Sequence, residues 1–140
     1  MSSDLGQSFD VLELDGVTRE FGGVAALQNL SLRIERGEFI SLLGPSGCGK
    51  STALNCIAGL LLPTSGAIRL DGREIDSVPP ERRGFGMIFQ SYALLPHLSV
   101  RDNVGFGLKM RHTPKKEIAL RVDQALARVQ LSALGNRRPG

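Results

Sequence analysis

The sequence is poor in the residues that would place it among several common protein classes. It contains no tryptophan, one tyrosine and two cysteines. Cys48 and Cys56 are too few for a disulfide framework and lack metal-ligand spacing, so we expect free thiols in a reducing compartment. The longest apolar candidate, 57–62, runs into Pro63 and is far shorter than the roughly 18–20 residues that span a bilayer. No basic start followed by an apolar stretch is present, so no secretory signal is expected.

The sequence also lacks a large excess of either positive or negative charge. The chain has 17 Lys and Arg against 14 Asp and Glu, a net charge of +3 spread along its 140 residues. This modest excess gives no support to nucleic-acid binding. With 41% hydrophobic and 22% charged residues, the composition is typical of a globular protein, and the length fits one domain.

The most informative motif is the glycine-rich segment Gly44–Ser51, which matches G-x-x-x-x-G-K-[ST]. Glycines at these positions let successive backbone N–H groups point inward, which makes an anion site at the positive end of a helix. We expect Lys50 to reach the β- and γ-phosphates of a nucleotide, and the Ser51 hydroxyl to complete the shell of a phosphate-bound Mg²⁺. The predicted cofactor-binding residues of this phosphate loop are Gly44, Pro45, Ser46, Gly47, Cys48, Gly49, Lys50, Ser51 and Thr52.

The surroundings of the loop separate this interpretation from an ordinary turn before a helix. An apolar strand is predicted at Phe39–Leu43 and a helix from Thr52 to about Gly59. A glycine-rich turn alone would not need a strand before it, Lys-Ser at its end and a helix after it. The segment therefore predicts a site for a nucleoside triphosphate.

The remaining segments predict alternating strands and helices, so the fold class is α/β. Ser99 is expected to cap a short helix, and Pro114 to open a longer one behind a capping Thr113. On that helix Ile118, Val122, Ala125, Leu126 and Val129 form one apolar face. The other predicted segments are an edge strand at 10–15, strands at 25–35, 66–72 and 85–89, and a rigid linker at 78–84.

Several pieces together resemble the first half of an ATP-binding cassette (ABC) transporter ATPase subunit. The resemblance is carried by four segments in order, 17–22, 44–52, 66–72 and 87–104, and the most similar subgroup is the importers of polyamines, ferric iron or sugars. It implies a P-loop NTPase fold with an antiparallel β subdomain, an incomplete RecA-like core and the start of a helical subdomain. Residues 1–140 would be the N-terminal part of one ATPase domain, with the phosphate loop at 44–52, the Q-loop region at 86–98 and the helical subdomain from about 99.

The resemblance also implies roles for residues outside the phosphate loop. Phe21 would stack on the adenine ring, although a Phe that fills a strand-end pocket is the alternative. Gln90 would be the Q-loop glutamine, so the metal ligands would be Ser51 and Gln90. The segment Tyr92–Leu98 would receive a helix of a membrane permease, or its side chains could bury against the helix at 114–131.

Taken whole, the resemblance implies a subunit that binds ATP and Mg²⁺, pairs with a second ATPase subunit and drives a permease from the cytoplasmic face of the inner membrane. The family's signature Leu-Ser-Gly-Gly-Gln, its Asp-Glu strand end and its switch His do not occur in the sequence. We therefore expect MgATP binding without hydrolysis from a truncated chain, whose Phe39–Leu43 strand would lack its sheet neighbours. A natural short form with a regulatory role is the alternative. An ABC ATPase outside transport is disfavoured by the importer-like segment 90–104.

Overall fold

A computed structural model describes residues 9–140. The chain divides into two compact units, and the boundary along the sequence lies between Met87 and Ile88. The first unit contains β1 (Val11–Phe21), β2 (Val24–Glu35), α1 (Lys50–Ala58), β3 (Ser65–Leu70), β4 (Arg73–Glu74) and α2 (Pro80–Arg83). The second contains α3 (Val100–Met110), α4 (Lys115–Arg128) and a short 3₁₀ helix (Ser132–Leu134). Among residues 9–140, no helix is long and apolar enough to cross a membrane.

The strands of the first unit form one antiparallel sheet in the order β2-β1-β3-β4. The prediction that 10–15 is an edge strand is wrong, because this segment belongs to β1, which pairs with β2 on one side and β3 on the other. Leu14 lies opposite Leu32 of β2 and Ile68 of β3. Alternation along β1 marks one buried face of a strand, but it does not reveal whether one or two neighbours pair with that strand.

The core of this unit lies between the sheet and α1. Leu12 and Leu14 of β1 and Ile68 of β3 are buried there together with Ala53 and Cys56 of α1. The helix begins at Lys50 and ends at Ala58, and Gly59, with a φ of 83°, forms the left-handed cap that follows it. The predicted helix after the phosphate loop is therefore confirmed.

Two predicted strands are wrong. The segments 39–43 and 85–89 carry no ladder, and none of the four described strands pairs with either. A strand needs a neighbour for its N–H and C=O groups, however strong its local preference. Phe39, Leu43 and Ile88 are accordingly 93%, 89% and 96% exposed. The predicted linker 78–84 is also corrected, because its centre forms the single turn of α2.

In the second unit, α3 and α4 pack against each other. Ser99 caps α3 by accepting a hydrogen bond from the Asp102 N–H at 3.1 Å, as predicted. The start of α4 is one residue later than predicted, with Pro114 at the cap position instead of the first helical position. Val122 and Leu126 of the predicted apolar face are buried. Val129 is exposed, because the helix ends at Arg128 and does not carry Val129 onto the apolar face.

Candidate functional site

The phosphate loop owes its path to glycine at two positions where any side chain would collide. Gly44 has a φ of 153°, and a Cβ there would lie 2.6 Å from Cys48 Sγ. Gly49 has a φ of 91°, and its Cβ would lie 2.5 Å from the Ala26 carbonyl oxygen of β2. Gly47 also has a positive φ of 82° but meets nothing within 4 Å. The loop is therefore held close to β2 through Gly49, while Gly47 is needed for its backbone conformation alone.

The N-terminus of α1 presents donors that the helix itself cannot satisfy. The N–H groups of Lys50, Ser51 and Thr52 lie in the first turn and have no acceptor four residues earlier within the helix. In the described structure no side chain caps this end, and its first turn contains no acidic residue. Unsatisfied donors at the positive end of the helix dipole fit a polyphosphate.

The ammonium group of Lys50 lies inside the curve of the loop. Its Nζ donates hydrogen bonds to the Gly44 carbonyl at 2.8 Å and the Pro45 carbonyl at 2.6 Å, and lies 3.2 Å from Cys48 Sγ. The two carbonyl groups that accept from the Lys50 ammonium are neutral, so an anionic phosphate oxygen can replace them as a stronger acceptor. Ser51, next along the helix, is exposed.

Phe21 ends β1 and is 46% exposed. This exposure argues against the alternative in which its ring fills a pocket. The Arg19 guanidinium covers one face of the ring, with its Cζ 4.6 Å from the ring centroid. The stacking of adenine on Phe21 stays a prediction, and Arg19 is a contact that the sequence analysis missed.

Gln90 lies in the second unit, whereas the phosphate loop and Phe21 lie in the first. It is exposed and belongs to a turn in which the Tyr92 N–H donates to the Phe89 carbonyl at 3.0 Å. A metal site shared by Ser51 and Gln90 stays a prediction. Among residues 9–140 there is no cluster of three or more His, Cys, Asp or Glu side chains suited to a metal ion.

The segment Tyr92–Leu98 is exposed at its start and held at its end. Tyr92 and Leu94 are 78% and 53% exposed. Asn103 of α3 accepts a hydrogen bond from the Leu95 N–H at 2.8 Å and donates to the Leu95 carbonyl at 3.1 Å and the Ser99 carbonyl at 2.9 Å. Asn103 therefore fixes this segment, a role that a single helical Asn does not reveal in the sequence.

Arg83 is a second missed residue, and it supports the far end of α1. Its side chain is fully buried and donates to four backbone carbonyls at 2.8–2.9 Å, two of them at Cys56 and Ile57 in the last turn of α1. Burial lowers the pKa of this guanidinium below its usual range, and the nearby Asp76 carboxylate acts in the opposite direction. A cation at the negative end of the helix dipole stabilises the helix that carries Lys50. In the sequence nothing distinguishes Arg83 from the exposed Arg82.

Comparison with known proteins agrees with this geometry. A model of the family described as "ABC transporter" matches residues 27–140. The spermidine/putrescine import ATP-binding protein PotA of Oleidesulfovibrio alaskensis is 53% identical over 129 residues, which are 92% of this chain and 35% of that protein. PotA of Pseudomonas aeruginosa is 52% identical over 129 residues, 92% of this chain and 36% of its own length. The chain thus spans about a third of the length of these relatives.

A solved structure shows the same fold. The dimeric structure of a post-hydrolysis state of the ATP-binding cassette MJ0796, bound to ADP and Pi, matches with a TM-score of 0.80 and 32% identity over 91% of this chain and 61% of that chain. The predicted fold class, an α/β P-loop NTPase with an antiparallel sheet, is confirmed. On the family match and this likeness together, the chain belongs to the ABC transporter family.

Proposed function

We propose that this chain is the nucleotide-binding part of an ATPase subunit that powers solute import across a membrane. The single observation that carries the proposal is the phosphate loop, where Lys50 Nζ lies among carbonyls next to an uncapped helix N-terminus. The import role is supported by relatives whose names describe spermidine/putrescine import. A polyamine is therefore the first cargo to test, ahead of ferric iron or a sugar.

The phosphates of ATP would bind along the start of α1. Lys50 would exchange the Gly44 and Pro45 carbonyls for β- and γ-phosphate oxygens, while the amides of the first helical turn donate to the same anion. Mg²⁺, when bound, would neutralise phosphate charge. The Ser51 hydroxyl and the Gln90 amide oxygen are the proposed protein ligands, since hydroxyl and carbonyl oxygens suit this cation.

The adenine ring would stack on Phe21. The open face of this half-exposed ring gives a base about 1–3 kcal/mol of stacking, with little dependence on the identity of the base. A Phe keeps this platform without adding a hydroxyl.

The protein partners would be membrane permease subunits and a second ATPase subunit. The exposed Tyr92 and Leu94 offer apolar area at a segment that Asn103 holds in place, which suits a helix of a permease. In this proposal residues 44–52 are the phosphate loop, 86–98 the Q-loop region and about 99–140 the start of the helical subdomain. The protein would be a peripheral protein on the cytoplasmic face of the inner membrane. The solved dimer of MJ0796 supports pairing with a second subunit.

The test is MgATP binding measured by titration calorimetry on the chain, on Lys50→Ala and on Lys116→Ala. Lys116 is an exposed lysine of α4, so its removal controls for the loss of one positive charge. Hydrogen bonds to charged groups contribute about 1.5–3 kcal/mol, so Lys50→Ala should weaken binding roughly tenfold or more. The Lys116→Ala chain should bind like the wild type. Equal affinity for all three, or no binding by the wild type, would refute the proposal together with the alternative of a natural ATP-binding short form.

A further inference from the structure

Arg19 and Phe21 lie two residues apart at the end of β1. The Arg19 Cζ lies 4.6 Å from the centroid of the Phe21 ring, within the range in which a guanidinium and an aromatic face attract each other. The ring is 46% exposed in spite of this contact. One face of Phe21 is therefore covered by a cation while the ring keeps open surface.

The guanidinium of Arg19 is anchored at its other side. Its Nη1 donates to the Leu62 carbonyl at 3.0 Å, just after α1. Its Nε is buried and has no hydrogen-bond partner within the described structure. A buried donor without a partner costs free energy. The contacts that offset this cost are the hydrogen bond to the Leu62 carbonyl and the attraction to the Phe21 ring.

The same stretch of β1 is tied to the chain after α1 by two further bonds. The Thr64 N–H donates to the Thr18 carbonyl at 2.7 Å, and the Glu20 N–H donates to Thr64 Oγ1 at 3.0 Å. The end of β1 and the exit of the phosphate-loop helix are thus joined on both sides of Arg19. A side chain fixed in this way is a firm support for the ring above it.

We propose that Arg19 is a positioning residue for the nucleotide base, which backs the Phe21 ring so that its open face is presented to the base. The proposal rests on the proposed stacking role of Phe21. Arg19 would form the lowest layer of a stack of guanidinium, phenyl ring and base. It would therefore affect the affinity for ligands that carry a base and leave the affinity for the phosphates unchanged.

The experiment compares MgATP with magnesium tripolyphosphate, which has the phosphates and no base. Dissociation constants are measured for the wild-type chain, Arg19→Met, Arg19→Lys, Phe21→Ala and the double variant Arg19→Met/Phe21→Ala. Arg33→Met is the matched control, because Arg33 is an exposed strand arginine that pairs with Glu13 and Glu35.

The expected result is a loss confined to ATP. Loss of an exposed cation–π contact can lower the population of the correctly presented ring by about two- to fivefold, so ATP affinity in Arg19→Met should weaken by up to that factor. Tripolyphosphate binding should not change. Arg19→Lys should show a smaller loss of the same kind, because an ammonium keeps the charge but not the flat stacking surface. In the Phe21→Ala background, Arg19→Met should have no further effect, and Arg33→Met should bind both ligands like the wild type.

Three results would overturn the inference while leaving base stacking intact. These are equal losses for both ligands in Arg19→Met, unchanged ATP affinity in that variant, and a loss that persists in the Phe21→Ala background. If Arg19→Met does not fold, equal losses for both ligands in Arg19→Lys would overturn it as well. An unchanged preference for ATP over tripolyphosphate in Phe21→Ala would instead refute the stacking role itself, and a wild-type chain that binds neither ligand would refute the proposed function.

Discussion

Replacing Gly49 with Ala tests how the phosphate loop is held against the sheet. Gly49 has a φ of 91° and a ψ of 1°, and a Cβ there would lie 2.5 Å from the Ala26 carbonyl oxygen and 3.3 Å from Leu27 Cδ1. The carbonyl belongs to the backbone of β2 and cannot rotate away like a side chain. Either the loop or the strand must move.

The expected cost has two parts. A left-handed backbone conformation costs an alanine about 1–2 kcal/mol, and forcing extra atoms into a packed contact costs about 1–3 kcal/mol more. The sum, about 2–5 kcal/mol, is a large part of the roughly 5–15 kcal/mol that stabilises a typical domain. Gly47→Ala is the matched control, because Gly47 has a φ of 82° but nothing within 4 Å of its Cβ position. It should lose only the backbone part.

The assay is urea unfolding of the wild-type chain, Gly49→Ala and Gly47→Ala, with MgATP titrated into each folded sample. We expect a lower midpoint for Gly49→Ala than for Gly47→Ala, because only Gly49 contacts β2. We also expect weaker ATP binding, because the amides after Gly49 would be displaced. Equal loss of stability in the two variants would contradict the inference that contact with the Ala26 carbonyl fixes the loop.

Three further results are expected. Arg83→Met should lower the free energy of unfolding, measured in urea, by about 3 kcal/mol or more, because buried carbonyls lose their donors. The control Arg82→Met, at the exposed neighbouring arginine, should have little effect. Equal losses in the two variants would contradict this reasoning. A thiol reagent should modify exposed Cys48 quickly and Cys56 only on unfolding, because Cys56 is fully buried and burial raises the pKa of its thiol; equal rates would be contrary evidence. Burial also raises the pKa of the Asp76 carboxyl group, so the folded state binds its proton more tightly than the unfolded state does. Proton binding therefore stabilises the fold at low pH, and this stabilisation is lost as the pH rises from the unfolded-state pKa through the folded-state pKa. The stability of the wild type relative to Asp76→Asn should therefore fall as the pH rises above the ordinary Asp pKa of about 3.9, and a difference that does not change with pH would refute it.

The parts of the site that could be predicted from the sequence are those set by local chemistry. The run from Gly44 to Ser51 specifies a loop and a helix start through glycine conformations and an uncapped helix end, which are properties of this segment itself. The close approach of Gly49 to the Ala26 carbonyl of β2 is not local, and the sequence does not reveal it. The cap at Ser99 is local in the same way, since its partner Asp102 is three residues along the chain.

The parts that could not be predicted depend on partners that are distant in sequence. The composition of segment 39–43 predicts a buried strand, yet the segment forms no ladder, because pairing is decided by neighbours and not by preference. Only the family resemblance, and not the composition, led us to expect that its sheet neighbours would be missing. Arg83 reaches carbonyls up to 27 residues away, and no periodic pattern marks that contact. The contact between Arg19 and Phe21 is local in the sequence, but an arginine near a phenylalanine is too common to indicate it.

The most direct test of the central claim, that this loop binds the phosphates of a nucleotide, is residue-resolved NMR of the backbone amides. MgATP and magnesium tripolyphosphate would each be titrated into the ¹⁵N-labelled chain. The amides of residues 46–52 should show the largest shifts with both ligands, and those next to Phe21 should shift with ATP alone. Loop amides that do not move at saturating ATP, or shifts that concentrate elsewhere, would contradict the assignment of Lys50 and the α1 N-terminus as the phosphate site.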